Sequence, residues 1–267
     1  MDARRRDERR MRWIEDRVGQ ASLSGPFLWG GEMLTASKRR QLAAIPLGLL
    51  CALALGLPAC AETPKSDDDA RYEVDLRGAP LKGASDPKVV LVEFIDIECP
   101  YCAVTARNAQ TLLGHYPDVL AIAFRHYPLS SVHEYALGAA VAAECADAQS
   151  LFWPMLERLV APDARLHSAA LLEHAEATGL DMEAFTACLD SQAPLDEIAR
   201  DQALAAELGV RATPTMFLNG RRLVGMRTVD EFTALVEEEL ARLSQEIAGP
   251  DAGETPPDAE GMAGASD

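Results

Sequence analysis

Two cysteines, Cys99 and Cys102, flank Pro100-Tyr101 in a Cys-x-x-Cys pair. Thiols at that spacing either close a disulfide reversibly or supply half of a zinc site. A zinc site needs a second Cys or His pair at similar spacing, and the sequence offers none. Cys51, Cys60, Cys145 and Cys188 are singletons, and His115, His126, His133, His167 and His174 form no tight pair. Redox exchange with the thiols of other proteins is the chemistry left. Upstream lies the apolar, β-branched run Val89-Val90-Leu91-Val92-Glu93-Phe94-Ile95, the length of one buried strand. Pro100 can open a helix. The pair therefore falls at a strand-to-helix turn, where backbone N–H groups lack partners and the helix dipole favours negative charge. Cys99 is the candidate nucleophile, its thiolate stabilised there. Cys102, one helical turn on and on the same face, can close the disulfide or resolve a mixed one.

The redox helix should run from Pro100 to His115 and the next strand from Val119 to Tyr127, giving a parallel βαβ unit. Before the central strand, Tyr72 to Leu76 reads as a short strand and Gly78 to Pro87 as a loop. Ser131 and Glu134 have capping-box spacing ahead of an Ala-rich helix ending at Asp147. Further helices are expected over Leu151–Val160, Ser168–Thr178 with Gly179 as a stop, Asp181–Leu189, and Pro194–Leu208 with Gly209 as a stop. Strands return at Thr215–Leu218 and Arg222–Val224, joined by Asn219-Gly220, the pair a type I′ hairpin turn prefers. Thr228 to Glu231 makes another capping box. Phe232, Leu235, Val236, Leu240 and Leu243 then give a last helix one apolar stripe.

Phe94-Ile95-Asp96 and Glu98-Cys99-Pro100-Tyr101-Cys102, taken with the later Val210-Arg211-Ala212-Thr213-Pro214-Thr215-Met216-Phe217, resemble the DsbA-like branch of the thioredoxin superfamily. The resemblance covers roughly Tyr72 to Leu243. It implies an α/β, thioredoxin-like fold over 72–130 and 209–246, split by an all-helical subdomain over 131–208. It also implies roles. Strand parity points Glu93 away from Val92 and Phe94, and an acid inside such a strand is costly unless it works or reaches water. In the resembled family an acid at this place lies beneath the cysteines and moves the proton of Cys102. The other reading leaves Glu93 at a solvated edge.

Pro214 lacks a ladder donor. In the resembled family this proline is cis and faces the cysteines, so that Thr213 and Pro214, bordered by Pro100 and Tyr101, bind the client chain as an added strand. Tyr101 stands where the best-known oxidants of the family have histidine and cannot supply its positive charge, so the pair could be less oxidising. Asp96 and Glu98 are expected to shape the turn. Cys145 and Cys188, on two helices of the insertion, are expected to pair as a structural disulfide, as related chains often do in an oxidising compartment; the alternative is two buried thiols.

Both ends of the chain read differently from its middle. Lys38-Arg39-Arg40 precede the apolar stretch Leu42–Leu57 and then Pro58-Ala59-Cys60, the order of an export signal. The signal begins best at Met33, which makes 1–32 an extension ahead of the true start and 33–60 the signal. Leu57-Pro58-Ala59-Cys60 resembles a bacterial lipobox, with Cys60 acylated as a lipid anchor. A soluble product cut after Ala61 and an uncleaved anchor are the competing readings, and all three export the domain. Residues 61–71 read as a disordered tether and 247–267 as a disordered acidic tail. Residues 1–60 hold 10 Lys+Arg and 6 Asp+Glu of the chain's 25 and 42, leaving 15 basic and 36 acidic residues, a net of −21, on the exported part. That charge argues against nucleic acid as a partner.

The sequence thus points to an envelope or periplasmic, membrane-tethered thiol:disulfide oxidoreductase needing no metal or organic cofactor. The resemblance implies its partners: unfolded or partly oxidised exported proteins, and a membrane protein that re-oxidises or reduces the pair. A reductase or isomerase for particular clients is the alternative within that chemistry. A chaperone or copper-handling module is the alternative outside it.

Overall fold

The computed structural model describes residues 70–248. Strand β1 (Leu81–Gly83) is followed by the central strand β2 (Val89–Ile95), helix α1 (Pro100–His115) and strand β3 (Leu120–His126). Five helices come next: α2 (Ala136–Asp147), α3 (Phe152–Leu159), α4 (Ser168–Thr178), α5 (Met182–Leu189) and α6 (Ala193–Glu207). The hairpin β4 (Thr215–Leu218) and β5 (Arg221–Val224) and helix α7 (Val229–Ala248) complete the described chain. The sheet order is β1-β3-β2-β4-β5. β2 pairs parallel with β3 and antiparallel with β4, so both of its edges are bonded, and helices and loops cover both of its faces.

Alternation along β2 assigns its side chains to two layers. Val89 and Leu91 pack with Ala109 and Leu112 of α1 and with Phe232 and Val236 of α7. Val92 and Phe94 point the other way, onto Phe217, Ala205, Leu208 and Val210. Ile95, at the end of the strand, joins Phe124, the two redox cysteines and the insertion helices in a third cluster. Each buried Phe or Leu of this kind contributes about 1.5–3 kcal/mol.

Where the local signals were strong the elements lie where expected. Asn219 and Gly220 both have positive φ, 44° and 84°, as a type I′ turn requires. Asn219 Oδ1 also accepts from Val90 N–H at 2.8 Å, tying the turn to β2. Gly179 ends α4 in the left-handed conformation. Thr228 and Glu231 exchange the two hydrogen bonds of a capping box, 2.7 and 3.3 Å.

Four expectations need correction. Tyr72–Leu76 is not a strand: only an isolated bridge joins Arg71 to Arg221. Its alternation is that of Tyr72, Val74 and Leu76 packing on the Phe94 side of the sheet without a ladder partner. The edge strand is instead β1, inside the expected Gly78–Pro87 loop and antiparallel to β3. There Gly83 has φ +125°, and a Cβ on it would lie 2.3 Å from the Leu120 carbonyl oxygen. Ser131 does not cap a helix, because α2 starts at Ala136 and the Tyr135 N–H is taken by Glu98 Oε2 at 2.6 Å. The tether and tail were drawn too long: Arg71 pairs with Glu239 at 2.8 Å, and α7 continues to Ala248. Residues 1–69 and 249–267, which hold the expected export signal, Cys60 and the rest of the tail, lie outside the described residues.

Candidate active site

The apolar run and the proline set the site up locally. Cys99 is the N-cap of α1, with extended backbone (φ −67°, ψ 120°), and Pro100 fills the first turn, where its missing N–H costs nothing. No side chain caps this helix and no acid lies in its first turn. Cys99 thus occupies the place where Ser, Thr or Asp normally accepts from orphan N–H groups. The Cys99 carbonyl accepts from Ala103 N–H at 3.0 Å, and its own N–H donates to the Asp96 carbonyl at 3.1 Å.

The two thiols are free and differ in access. Cys99 is 7% exposed and Cys102 is 0% exposed. Burial pushes the Cys102 thiol well above the usual range, while the Thr213 hydroxyl and the Asp96 main chain pull it back in part. A thiol with that environment holds its proton until a base removes it.

Glu93 is 1% exposed, which overturns the solvated-edge reading. It sits on the sheet face covered by α1, between Leu91 and Ile95, with Phe124 and Met216 as its lateral neighbours. Burial alone raises its carboxyl to about 8, and Oε1 has no hydrogen-bond partner. An acid with that pKa can exchange a proton near neutral pH.

The Thr213–Pro214 peptide is cis. Pro214 is buried, its carbonyl accepts from Gly225 N–H at 2.9 Å, and Thr213 is half-buried beside Cys102. Arg211 and Ala212, just before it, are exposed, as is Pro100. Tyr101 is 64% exposed. Cys145 and Cys188 form a disulfide with a Cα–Cα distance of 5.6 Å, linking α2 to α5 within the same apolar cluster that holds the redox pair. Among the described residues, no group of three or more His, Cys, Asp or Glu is placed to hold a metal ion.

Of two polar clusters, the first has no counterpart in the sequence reading and the second enlarges the turn-shaping role expected of Asp96 and Glu98. Arg125 reaches Asp201 at 2.8 Å, and the other Asp201 oxygen accepts from His126 N–H at 2.7 Å. His126 Nε2 stands 2.9 Å from Glu144 Oε1. The second cluster centres on Asp96, whose carboxylate accepts from the Glu98 and Leu129 N–H groups at 2.9 and 2.8 Å and lies 2.7 Å from His133 Nδ1. An acid following an apolar strand was the only sequence signal for it, and its partners are 33 and 37 residues away.

The thioredoxin family model matches residues 76–238. The chain is 38% identical over 157 residues to the Na(+)/H(+) antiporter NhaA of Herminiimonas arsenicoxydans, which is 59% of this chain and 25% of that protein. The chain therefore spans about a quarter of the length of the curated relatives it matches. Among solved structures, a thioredoxin-like oxidoreductase from Silicibacter pomeroyi DSS-3 superposes with a TM-score of 0.55 at 25% identity, over 62% of this chain and 92% of that one. The catalytic domain of Proteus mirabilis ScsC gives 0.55 at 25%, over 62% and 93%. A family match over that span, on this sheet and around this cysteine pair, settles the affiliation: the chain belongs to the thioredoxin family.

Proposed function

We propose that the chain is an exported thiol:disulfide oxidoreductase that forms disulfides in other exported proteins. One observation carries this reading: a near-surface thiol at a helix N-terminus is paired with a buried, proton-holding thiol beside Thr213-Pro214. With the pair oxidised, a client thiolate attacks the Cys99 sulfur and the Cys99–Cys102 bond breaks. Cys102 leaves and takes the Glu93 proton. A second client thiolate then attacks the client sulfur of the mixed disulfide, and Cys99 leaves as a thiolate at the N-terminus of α1. Two electrons have passed from the client to the pair. Thr213 and Pro214 hold the client main chain, with Pro100 and Tyr101 beside it. A membrane protein of the oxidising type must then remove those electrons, and Cys60 is the proposed lipid anchor that keeps the two together in the cell envelope.

A second reading, reduction or isomerisation of client disulfides, is favoured by Tyr101, which brings no positive charge to the Cys99 thiolate. In that direction Cys99 attacks the client disulfide, and the Glu93 carboxylate deprotonates Cys102 for resolution. The reduction potential of the pair separates the two. The full chain is equilibrated in glutathione buffers and the thiols at Cys99 and Cys102 are trapped and quantified. A value towards about −120 mV supports disulfide donation, and one near about −270 mV overturns it in favour of the reductant.

A further inference from the structure

We propose that Asp96 is a positioning residue that, together with Glu98, fixes the segment 127–135 against the cysteine turn and so builds one wall of the client site. This rests on the redox reading above. The Asp96 carboxylate is fully buried and, among the described residues, has no Lys or Arg beside it. It is held by hydrogen bonds instead. Oδ1 accepts from Glu98 N–H within the turn, while Oδ2 receives Leu129 N–H and His133 Nδ1 from the segment between β3 and α2. Glu98 Oε2 adds Tyr135 N–H. Three groups of that segment, at 129, 133 and 135, thus end on two acids of the turn that carries Cys99.

The exchange steps proposed above for Cys99 and Cys102 use neither acid. Burying one also costs free energy unless its oxygens are satisfied. What the arrangement secures is the outer surface of the segment. Val132, 69% exposed, lies between the two residues that bind Asp96, and Tyr135 is exposed beside Glu98. With the exposed Tyr101 on the first turn of α1, they put large apolar groups in water on the two segments that these acids join. The occupant that fits is an apolar, extended stretch of a cysteine-containing polypeptide, continuous with the strand paired to Thr213. A small thiol needs none of it.

The test compares two thiols reacting with the oxidised full-length chain: reduced glutathione, and a reduced, unfolded cysteine-containing polypeptide. Asp96→Asn replaces one accepting oxygen by an NH2 group, which must face either Glu98 N–H or the Leu129 and His133 donors without being able to accept from them. The ratio of polypeptide to glutathione kcat/KM should fall about tenfold, the loss of one hydrogen bond to a charged acceptor, with the change in KM rather than kcat. His133→Phe, which leaves both main-chain bonds to Asp96 in place, should move the ratio the same way and serves if Asp96→Asn does not fold. An unchanged ratio in a folded variant, or a fall carried by kcat, overturns the proposal. A wild-type chain that exchanges with glutathione but with no polypeptide defeats the functional reading itself, and this inference with it.

Discussion

Replacing Glu93 with Gln separates what burial does to this acid from what the acid does for the cysteines. Burial moves the carboxyl from 4.5 to about 8. In the unfolded chain it ionises near the lower value, so between the two the folded state keeps a proton that the unfolded state has lost. Stability therefore falls as pH rises from about 4.5 and levels off above about 8. At about 1.4 kcal/mol per unit, the full swing is about 5 kcal/mol. Gln cannot titrate, and its amide meets a site where Oε1 already has no partner, at a pH-independent cost of about 1–3 kcal/mol. The variant should be slightly less stable than wild type at pH 5 and about 2–4 kcal/mol more stable at pH 9.

Urea unfolding of both proteins with Cys99 and Cys102 reduced measures this, since the Cys102 thiol is common to both and cancels. With a slope of about 2 kcal/mol/M, the difference between the two midpoints should change by about 2 to 3 M across that range. Resolution of a mixed disulfide at Cys99 should slow by about a hundredfold in the variant, the usual worth of a positioned acid–base group. A midpoint difference that is the same at pH 5 and pH 9 refutes the buried, proton-holding carboxyl. Unchanged resolution refutes its proton-transfer role.

Two further outcomes are expected. Replacing Cys145 and Cys188 together by Ala opens a loop with a sequence separation of 43. Loop-closure entropy puts the loss at about 4 kcal/mol in urea unfolding, and a loss under about 1 kcal/mol would show that the bridge does not stabilise α2 against α5. Arg125→Met leaves Asp201 buried without its guanidinium, at a cost of about 3–5 kcal/mol at neutral pH. Burial already raises the Asp201 carboxyl, so acid should neutralise it and restore part of the loss. Unfolding data in which lowering the pH leaves the penalty unchanged would contradict this account.

Legibility followed the range of the interactions. β2 and α1 were readable because an apolar run, a proline and a Cys-x-x-Cys pair specify a strand, a turn and a helix from within about 25 residues. The 219–220 turn and the 228–231 cap were readable for the same reason. β1 was not, since Leu81-Lys82-Gly83 has no alternation and becomes a strand only because β3 offers a free edge. Tyr72–Leu76 misled in the opposite sense, showing a strand's alternation where packing on the sheet face produced it. Ser131 had the spacing of a cap, but a tertiary bond from Glu98 supplies the donor's partner at the start of α2.

The candidate site divides along the same line. Which thiol heads the helix follows from the chain alone, because N-terminal N–H groups and Pro100 are fixed by the neighbours of Cys99 in sequence. Tertiary structure decided everything that depends on desolvation or on distant partners: the buried proton of Cys102, the raised carboxyl of Glu93, Thr213 beside the inner thiol, and the segment 127–135 held by Asp96. The cost of a buried charge is set by all the atoms around it, and those atoms come from five strands and several helices that meet only when the chain is folded.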